Sequence, residues 1–291
     1  ILKGTEGCYA CAIKCKRVVE AESNGYNADP VYGGPEYETV GSFGSNLFND
    51  NLESIAVANA ICNAYGVDTI SAGMSIAFLI ECYEKGIIDK TKTDGIELKF
   101  GDTEIILTLL DKIVKREGVG DVLAGGLKSA LDYVGPEGKD YAIHVKGQYV
   151  PMHDPRGKHG VGLGYAFAPG GADHLQASHD PNFTAKGKVM EELYPFGVYE
   201  TMESCALTPN KVRFYYHSHL WISLLNVLDI CWYVGSPPAV FTQDEILDIV
   251  RAATGWNISF WELLKAGERG LTMARICLLY TSPSPRDRQK S

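Results

Sequence analysis

The sequence predicts a mainly α-helical protein, organised as two domains or as one fused helical unit. Three observations carry this. Several segments place apolar residues at helical spacing between recognisable caps and stops; two Thr/Ser-x-x-Glu capping boxes precede apolar runs near the C-terminus; and only Tyr141 to Val145 reads as a strand. With 291 residues, 45% of them hydrophobic, the chain can bury a substantial core. Its formal charge of −9 argues against nucleic acid or an anionic membrane surface as a partner. No apolar run approaches the roughly 20 residues that span a bilayer.

The elements follow in order. A Gly/Pro-rich stretch, Gly33-Gly34-Pro35, leads into Glu36-Tyr37-Glu38-Thr39. Asn51 to Tyr65 is a helix whose Leu52, Ile55, Val57, Ala58, Ile61 and Cys62 give a broad apolar surface, so it is buried, and Gly66 stops it. A second helix runs from about Gly73 to Lys85 and stops at Gly86. Asp102 caps a third, which carries Ile105, Leu109, Leu110, Ile113 and Val114; Asp121 starts a fourth that ends at Gly135-Pro136. From Lys146 to His179 the chain turns polar, with many glycines and histidines, and reads as a long loop of the kind that carries chemistry. Thr208-Pro209 opens a further helix that takes Val212, Tyr216, Leu220 and Leu224 towards Cys231. The capping boxes Thr242-x-x-Glu245 and Ser259-x-x-Glu262 open the last two helices.

The ends read differently from the body. Residue 1 is Ile and a metal motif begins almost at once, so the chain reads as truncated upstream. From Tyr280 to Ser291 it becomes Ser/Pro-rich and basic, and resembles translated adapter read-through that begins near Cys277. Residues 277–291 are therefore expected to be a non-native or disordered tail without function. The domains expected are 1–150 and 151–276.

The most informative motif is Cys8-x2-Cys11-x3-Cys15. Three thiols this close can converge on one inorganic centre, the first pair joined by a turn and the third about one helical turn on. Structural zinc usually takes two separated Cys/His pairs, and no second pair exists, so an iron–sulfur cubane fits better. Nothing resembles a secretion signal, and adjacent pairing would leave one thiol over, which argues against disulfides. Of the other thiols, Cys62 and Cys82 lie on apolar helix faces as small hydrophobes. Cys205 and Cys231 both remain open as the fourth ligand. Eight cysteines beside an unpaired triplet point to a reducing, anaerobic cytoplasm.

Together the residues resemble a known family. The Cys triplet, Tyr37-Glu38, Asn63 to Ser71, His144-Val145-Lys146-Gly147, Asp154-Pro155-Arg156, Gly171-Ala172-Asp173-His174 and the segment around Cys231 are similar, in order and spacing, to the middle and C-terminal helical domains of the tungsten-dependent aldehyde:ferredoxin oxidoreductases. The similarity runs from about Gly7 to Ile276, and the family's β-rich N-terminal domain is missing.

The resemblance implies two fused helical domains of that type, with a tungsten (or molybdenum) bis-pterin and a 4Fe-4S cluster. It makes Cys231 the fourth ligand beside Cys8, Cys11 and Cys15. The family's pterin motif appears as Asn63-x-x-Gly66-Val67-Asp68 and again as Asn226-x-x-Asp229-Ile230-Cys231, with Trp232 near a pterin. Asn replaces the first Asp of both, and Asp229 stands where glycine is usual. Glu38 and His174 match the family's carboxylate and imidazole near the metal, and His153 falls at a substrate-side position. The remaining histidines, His159, His179, His217 and His219, read as surface or scaffold; Arg156 reads as an anion contact or a salt bridge. The Glu-x-x-His pattern that bridges subunits in some members is absent, with Val57 near the expected glutamate, so a homodimer is compatible with the resemblance but not through that bridge.

The implied function is oxidation of a small-molecule aldehyde to a carboxylic acid, with electrons passed to ferredoxin. Two alternatives stand beside it: a tungsten subunit of an aromatic acyl-CoA reductase, and an iron–sulfur electron-transfer or scaffold protein without pterin.

Overall fold

The computed structural model describes residues 1–236 and 239–281, and it divides into two compact units, Ile1 to Met152 and His153 onward. Helices dominate both, as the sequence predicts; the strands are short and form two-stranded hairpins only. No described helix is long and apolar enough to cross a membrane.

The first unit opens with two hairpins that the sequence reading missed. Strand β1 (Leu2–Glu6) pairs antiparallel with β2 (Lys16–Val19), and β3 (Ala21–Ser23) with β4 (Tyr26–Ala28). The turn of the second is Asn24-Gly25, with φ of 52° and 78°. That dipeptide favours the left-handed turn a tight hairpin needs, and it was the available signal. The Cys triplet lies in the loop of the first hairpin. Cys15 therefore does not follow Cys11 by a helical turn; Ala10 and Lys14 take left-handed conformations instead, and bends carry the chain back to β2.

Helices α1 (Tyr37–Phe43), α2 (Leu52–Tyr65), α3 (Thr69–Glu84) and α4 (Thr103–Lys115) build the first core, in which Phe43, Leu47, Val57, Ile76, Leu79, Ile80, Leu109 and Leu110 are buried. The expected cap is present on α4, where the Asp102 side chain accepts from Ile105 N; Asn51, read as the first residue of α2, is its N-cap and accepts from Ser54 N. Helix α3 begins four residues before the expected Gly73, because Asp68 caps it by accepting from Ser71 N at 2.7 Å. Gly73 instead allows α3 to touch α1, since a Cβ there would sit 2.8 Å from the Ser42 carbonyl oxygen. The expected fourth helix is two, α5 (Val119–Ala124) and α6 (Gly126–Val134), broken where Gly126 takes φ of 78°. The strand expected at Tyr141 to Val145 shrinks to β5 (His144–Val145), paired with β6 (Gln148–Tyr149) across a left-handed Lys146-Gly147 turn. Residues Pro136–Tyr141 form a 3-10 helix. Cys62 and Cys82 are fully buried, and burial pushes their thiols up to about 12 and about 11, so both are inert.

In the second unit the expected long loop contains a helix, α7 (His159–Phe167). It is followed by α8 (Lys188–Glu191), α9 (Pro209–Val227), α10 (Trp232–Gly235), α11 (Gln243–Thr254) and α12 (Phe260–Thr281). Phe183, Phe214, Trp221, Leu224, Ile246 and Leu264 fill its core. Both capping boxes close as predicted: Glu245 and Glu262 accept from the backbone N–H of Thr242 and Ser259, whose hydroxyls accept in return. Helix α12 crosses α9 at Gly267, where a Cβ would lie 2.3 Å from the Leu220 carbonyl oxygen. Residues 277–281, placed in the expected tail, continue α12; 282–291 lie outside the described residues.

The start of α7 rests on a buried ion pair. The Asp180 carboxylate accepts from Gly160 N (2.9 Å) and Val161 N (3.1 Å) and bonds the Lys211 ammonium. Lys211 also donates to the carbonyls of Glu203 (3.0 Å) and Ser204 (3.4 Å), and both charged side chains are wholly removed from solvent.

Candidate functional site

Each unit carries candidate groups of its own. In the first, the thiol loop is drawn tight by a turn in which Cys11 N donates to Cys8 O at 3.0 Å. Cys8 and Cys15 are exposed, Cys11 is half-buried, and none is in a disulfide. Three free thiols on one short loop suit a polynuclear thiolate centre better than a structural role, since exposed cysteines contribute nothing to a core.

Glu38 lies in the first turn of α1 and is half-buried. Its Oε2 accepts from Met152 N at 2.8 Å, so the carboxylate is held by the backbone at the end of the unit. The Tyr37 hydroxyl donates to the Met152 carbonyl at 3.3 Å.

The two candidate pterin motifs share one backbone design. In the first, α2 stops at Gly66 (φ 68°), Val67 N returns to Cys62 O at 2.8 Å, and Asp68 caps the next helix. Asn63 donates back to Asn59 O at 2.9 Å. In the second, Asp229 (φ 57°) takes the same left-handed position, Ile230 N returns to Leu225 O at 2.9 Å, and Cys231 is the N-cap of α10. Aspartate is among the few residues that tolerate this conformation, so its substitution for glycine leaves the helix stop intact. Asn63, Gly66, Asp68 and Cys231 are all exposed at these joints. The Trp232 indole Nε1 is buried and has no hydrogen-bond partner among the described residues, an orphaned donor that suits a polar ring system placed against it.

The second unit gathers imidazoles. His153 and His174 stack at 4.8 Å between ring centroids; His179 meets His153 edge-on at 4.4 Å, and Trp232 lies 6.1 Å from His179. His179, expected as scaffold or surface, thus belongs to the cluster, and its ring Nε2 donates to the His174 carbonyl at 2.8 Å. Behind it, His219 is buried between the Tyr215 hydroxyl (2.8 Å) and Gln176 Oε1 (3.1 Å), while Gln176 Nε2 donates to Asp173. Ser178 N donates to Ser218 Oγ at 2.8 Å, so α9 pins the loop that carries His174. Cys205 is exposed, with its thiol near the carbonyls of Arg156 and Gly157. Arg156 forms an exposed pair with Asp154, the salt-bridge form of its two expected roles.

Burial lowers both His179 and His219 from an ordinary 6.5 to about 4. A folded-state value below the unfolded one gives stability that is complete above about pH 6.5 and lost as pH falls towards 4. Thermal unfolding of the chain should therefore decline through this window, and His219→Gln should flatten the decline. A melting temperature unchanged between pH 7 and pH 4.5 would contradict this.

The chain combines two helical units, a thiol loop and paired helix-stop joints. Its fold matches a solved structure, the active site complex BamBC of benzoyl coenzyme A reductase with 1,5-dienoyl-CoA. The TM-score is 0.72 at 20% identity, over 94% of this chain and 44% of that one. The family model for aldehyde ferredoxin oxidoreductase, domains 2 and 3, matches residues 1–289, and the chain belongs to that family. Similar proteins include the tungsten-containing aldehyde ferredoxin oxidoreductases of Pyrococcus furiosus (34% identical over 267 residues) and Thermococcus kodakarensis (33% over 264), each alignment covering 90% of this chain and 40% of the relative. The WOR-like subunit of an aliphatic sulfonate oxidoreductase from Pyrococcus furiosus is 32% identical over 283 residues, 94% of this chain and 39% of the relative. The chain thus spans about two fifths of the length of these relatives.

Proposed function

We propose that this chain is the helical portion of a cytoplasmic tungstopterin iron–sulfur oxidoreductase that oxidises an aldehyde to a carboxylic acid and passes the electrons to ferredoxin. The observation that carries this reading is the free-thiol hairpin loop, Cys8, Cys11 and Cys15, in a chain of this family. The residues fit the groups the reading requires. The three thiols, with Cys231 as the fourth, would hold a 4Fe-4S cluster; the joints at Asn63, Gly66 and Asp68 and at Cys231-Trp232 would face the pterins, with the orphaned Trp232 N–H available to one of them. Glu38 and His174 are the proposed catalytic pair, and His153 the substrate-side residue.

Anaerobic reconstitution tests the cluster directly. The expected result is about four irons per chain, as a cubane requires, with a paramagnetic signal on reduction. Cys15→Ser and Cys231→Ser should both lose it, and Cys205→Ser should not. One metal per chain, or loss on Cys205→Ser with retention on Cys231→Ser, would overturn the ligand assignment. Metal analysis of the complete protein separates the enzyme from a plain carrier, because only the enzyme yields tungsten or molybdenum with organic phosphate.

A further inference from the structure

In the second unit a chain of hydrogen bonds takes its direction from one carboxylate. Asp173 Oδ1 accepts from Leu175 N at 2.9 Å and its other oxygen accepts from the Gln176 side chain, so the carboxylate closes a turn whose second residue is His174. A carboxylate has acceptors only, so the Gln176 atom against it is the amide nitrogen, and the amide oxygen is the atom turned to His219. His219 Nε2, 3.1 Å from that oxygen, must then carry a ring proton. Burial lowers this imidazole to about 4, so at neutral pH it holds one proton and Nδ1 is bare. The Tyr215 hydroxyl, 2.8 Å from Nδ1, is left to donate. Both Tyr215 and His219 are buried on α9.

We propose that Asp173 is a positioning residue: through Gln176 it sets the tautomer of His219 and the direction of the Tyr215 hydroxyl, and it thereby clamps the turn that carries His174 to α9. What the clamp does for catalysis rests on the aldehyde-oxidising reading; the proton assignment does not. A hydroxyl can donate or accept, so Tyr215 cannot choose the tautomer, and the choice falls to the carboxylate two hydrogen bonds away. The rest of the loop is held separately, since Ser178 N donates to Ser218 Oγ and His179 Nε2 donates to the His174 carbonyl. Loss of the Asp173 carboxylate should therefore loosen the turn at His174 without releasing the loop.

Asp173→Asn tests the chain directly. Its amide oxygen can still accept from Leu175 N, but an NH2 group now faces Gln176. The Gln176 amide must turn its oxygen to that group and its nitrogen to His219, which must then accept at Nε2 and carry its proton on Nδ1. Nitrogen NMR of the full chain labelled at histidine, at mildly alkaline pH and with His219 assigned by loss of its signals in His219→Gln, reads this out. The wild type should show a pyrrole-type Nε2 and a pyridine-type Nδ1, and Asp173→Asn the reverse. Adding Gln176→Glu to Asp173→Asn should restore the wild-type pattern, because the new carboxylate accepts from both sides; Tyr215→Phe should leave the pattern as it is. A pyrrole-type Nδ1 in the wild type, or no inversion in Asp173→Asn, would overturn the inference whatever the activity. In the complete, cofactor-loaded protein, Asp173→Ala opens the turn and should lower kcat for an aldehyde about tenfold with little change in KM, a fraction of the roughly 10²–10³ that outright loss of a well-placed donor costs. Tungsten and iron should be retained, and Asp173→Asn, which keeps a bonded turn, should recover most of kcat. Wild-type kcat in Asp173→Ala would remove the clamp from catalysis, although the proton assignment stands. If the wild type oxidises no aldehyde, the proposed function fails separately, and the NMR pattern still decides the chain.

Discussion

Lys211→Met is expected to destabilise the second unit by about 3–5 kcal/mol, the usual result of stranding one member of a buried ion pair. Asp180 would remain away from solvent and without its cation, accepting from Gly160 N and Val161 N. Asp180→Ala should cost as much, since it strands the ammonium and leaves those two amides at the start of α7 without an acceptor. The pair joins four separate segments: the α7 N-terminus, the 3-10 turn that begins at Asp180, the carbonyls of Glu203 and Ser204, and the first turn of α9. Denaturant unfolding should show both single variants well below wild type, and the double variant less destabilised than their sum by at least about 1 kcal/mol, as residues in contact require. Single variants within about 1 kcal/mol of wild type, or strictly additive ones, would mean that the pair is solvated in solution.

That pair was not legible in the sequence. Asp180 and Lys211 stand 31 residues apart, and nothing local distinguishes them from surface charges. What was legible is whatever local chemistry decides alone. Asp102, Thr242 and Ser259 cap helices as read, and Asn51 and Thr208 cap the helices they were read to open, because a short oxygen-bearing side chain ahead of an apolar run has one economical use. Asp68 at the start of α3 is a cap of the same kind, inside a motif that also marks it as a candidate cofactor contact. The β1–β2 hairpin, in contrast, is closed by a loop of left-handed Ala10 and Lys14, residues with no intrinsic preference for that conformation, so no residue type announced it. For the site, motif similarity picked out His174 and His153, and the structure stacks them. It could not pick out His179, whose place in the cluster depends on how the loops at 153–158 and 171–179 fold back on α7 and α9.

The last expectation concerns catalysis by the complete protein. Oxidation of an aldehyde requires water to lose a proton as it attacks the carbonyl, and the oxygen that becomes negative to be stabilised; one carboxylate cannot do both. Glu38 is the proposed base and His174 the proposed donor, with the bound metal centre supplying the two-electron acceptor. General-base help is typically worth about 10²–10⁴ in rate, and one well-placed oxyanion donor about 10²–10³. Glu38→Gln and His174→Ala should each lower turnover by on the order of a hundredfold or more. Both variants keep the backbone hydrogen bonds described above. A glutamine amide oxygen can still accept from Met152 N, and the hydrogen bond from His179 ends on the backbone carbonyl of residue 174, which alanine retains. Metal and iron contents should accordingly stay at wild-type levels. Turnover near wild type in a fully loaded variant would reduce that residue to scaffold, and loss of tungsten or iron along with activity would show that it supports the cofactor rather than the chemistry.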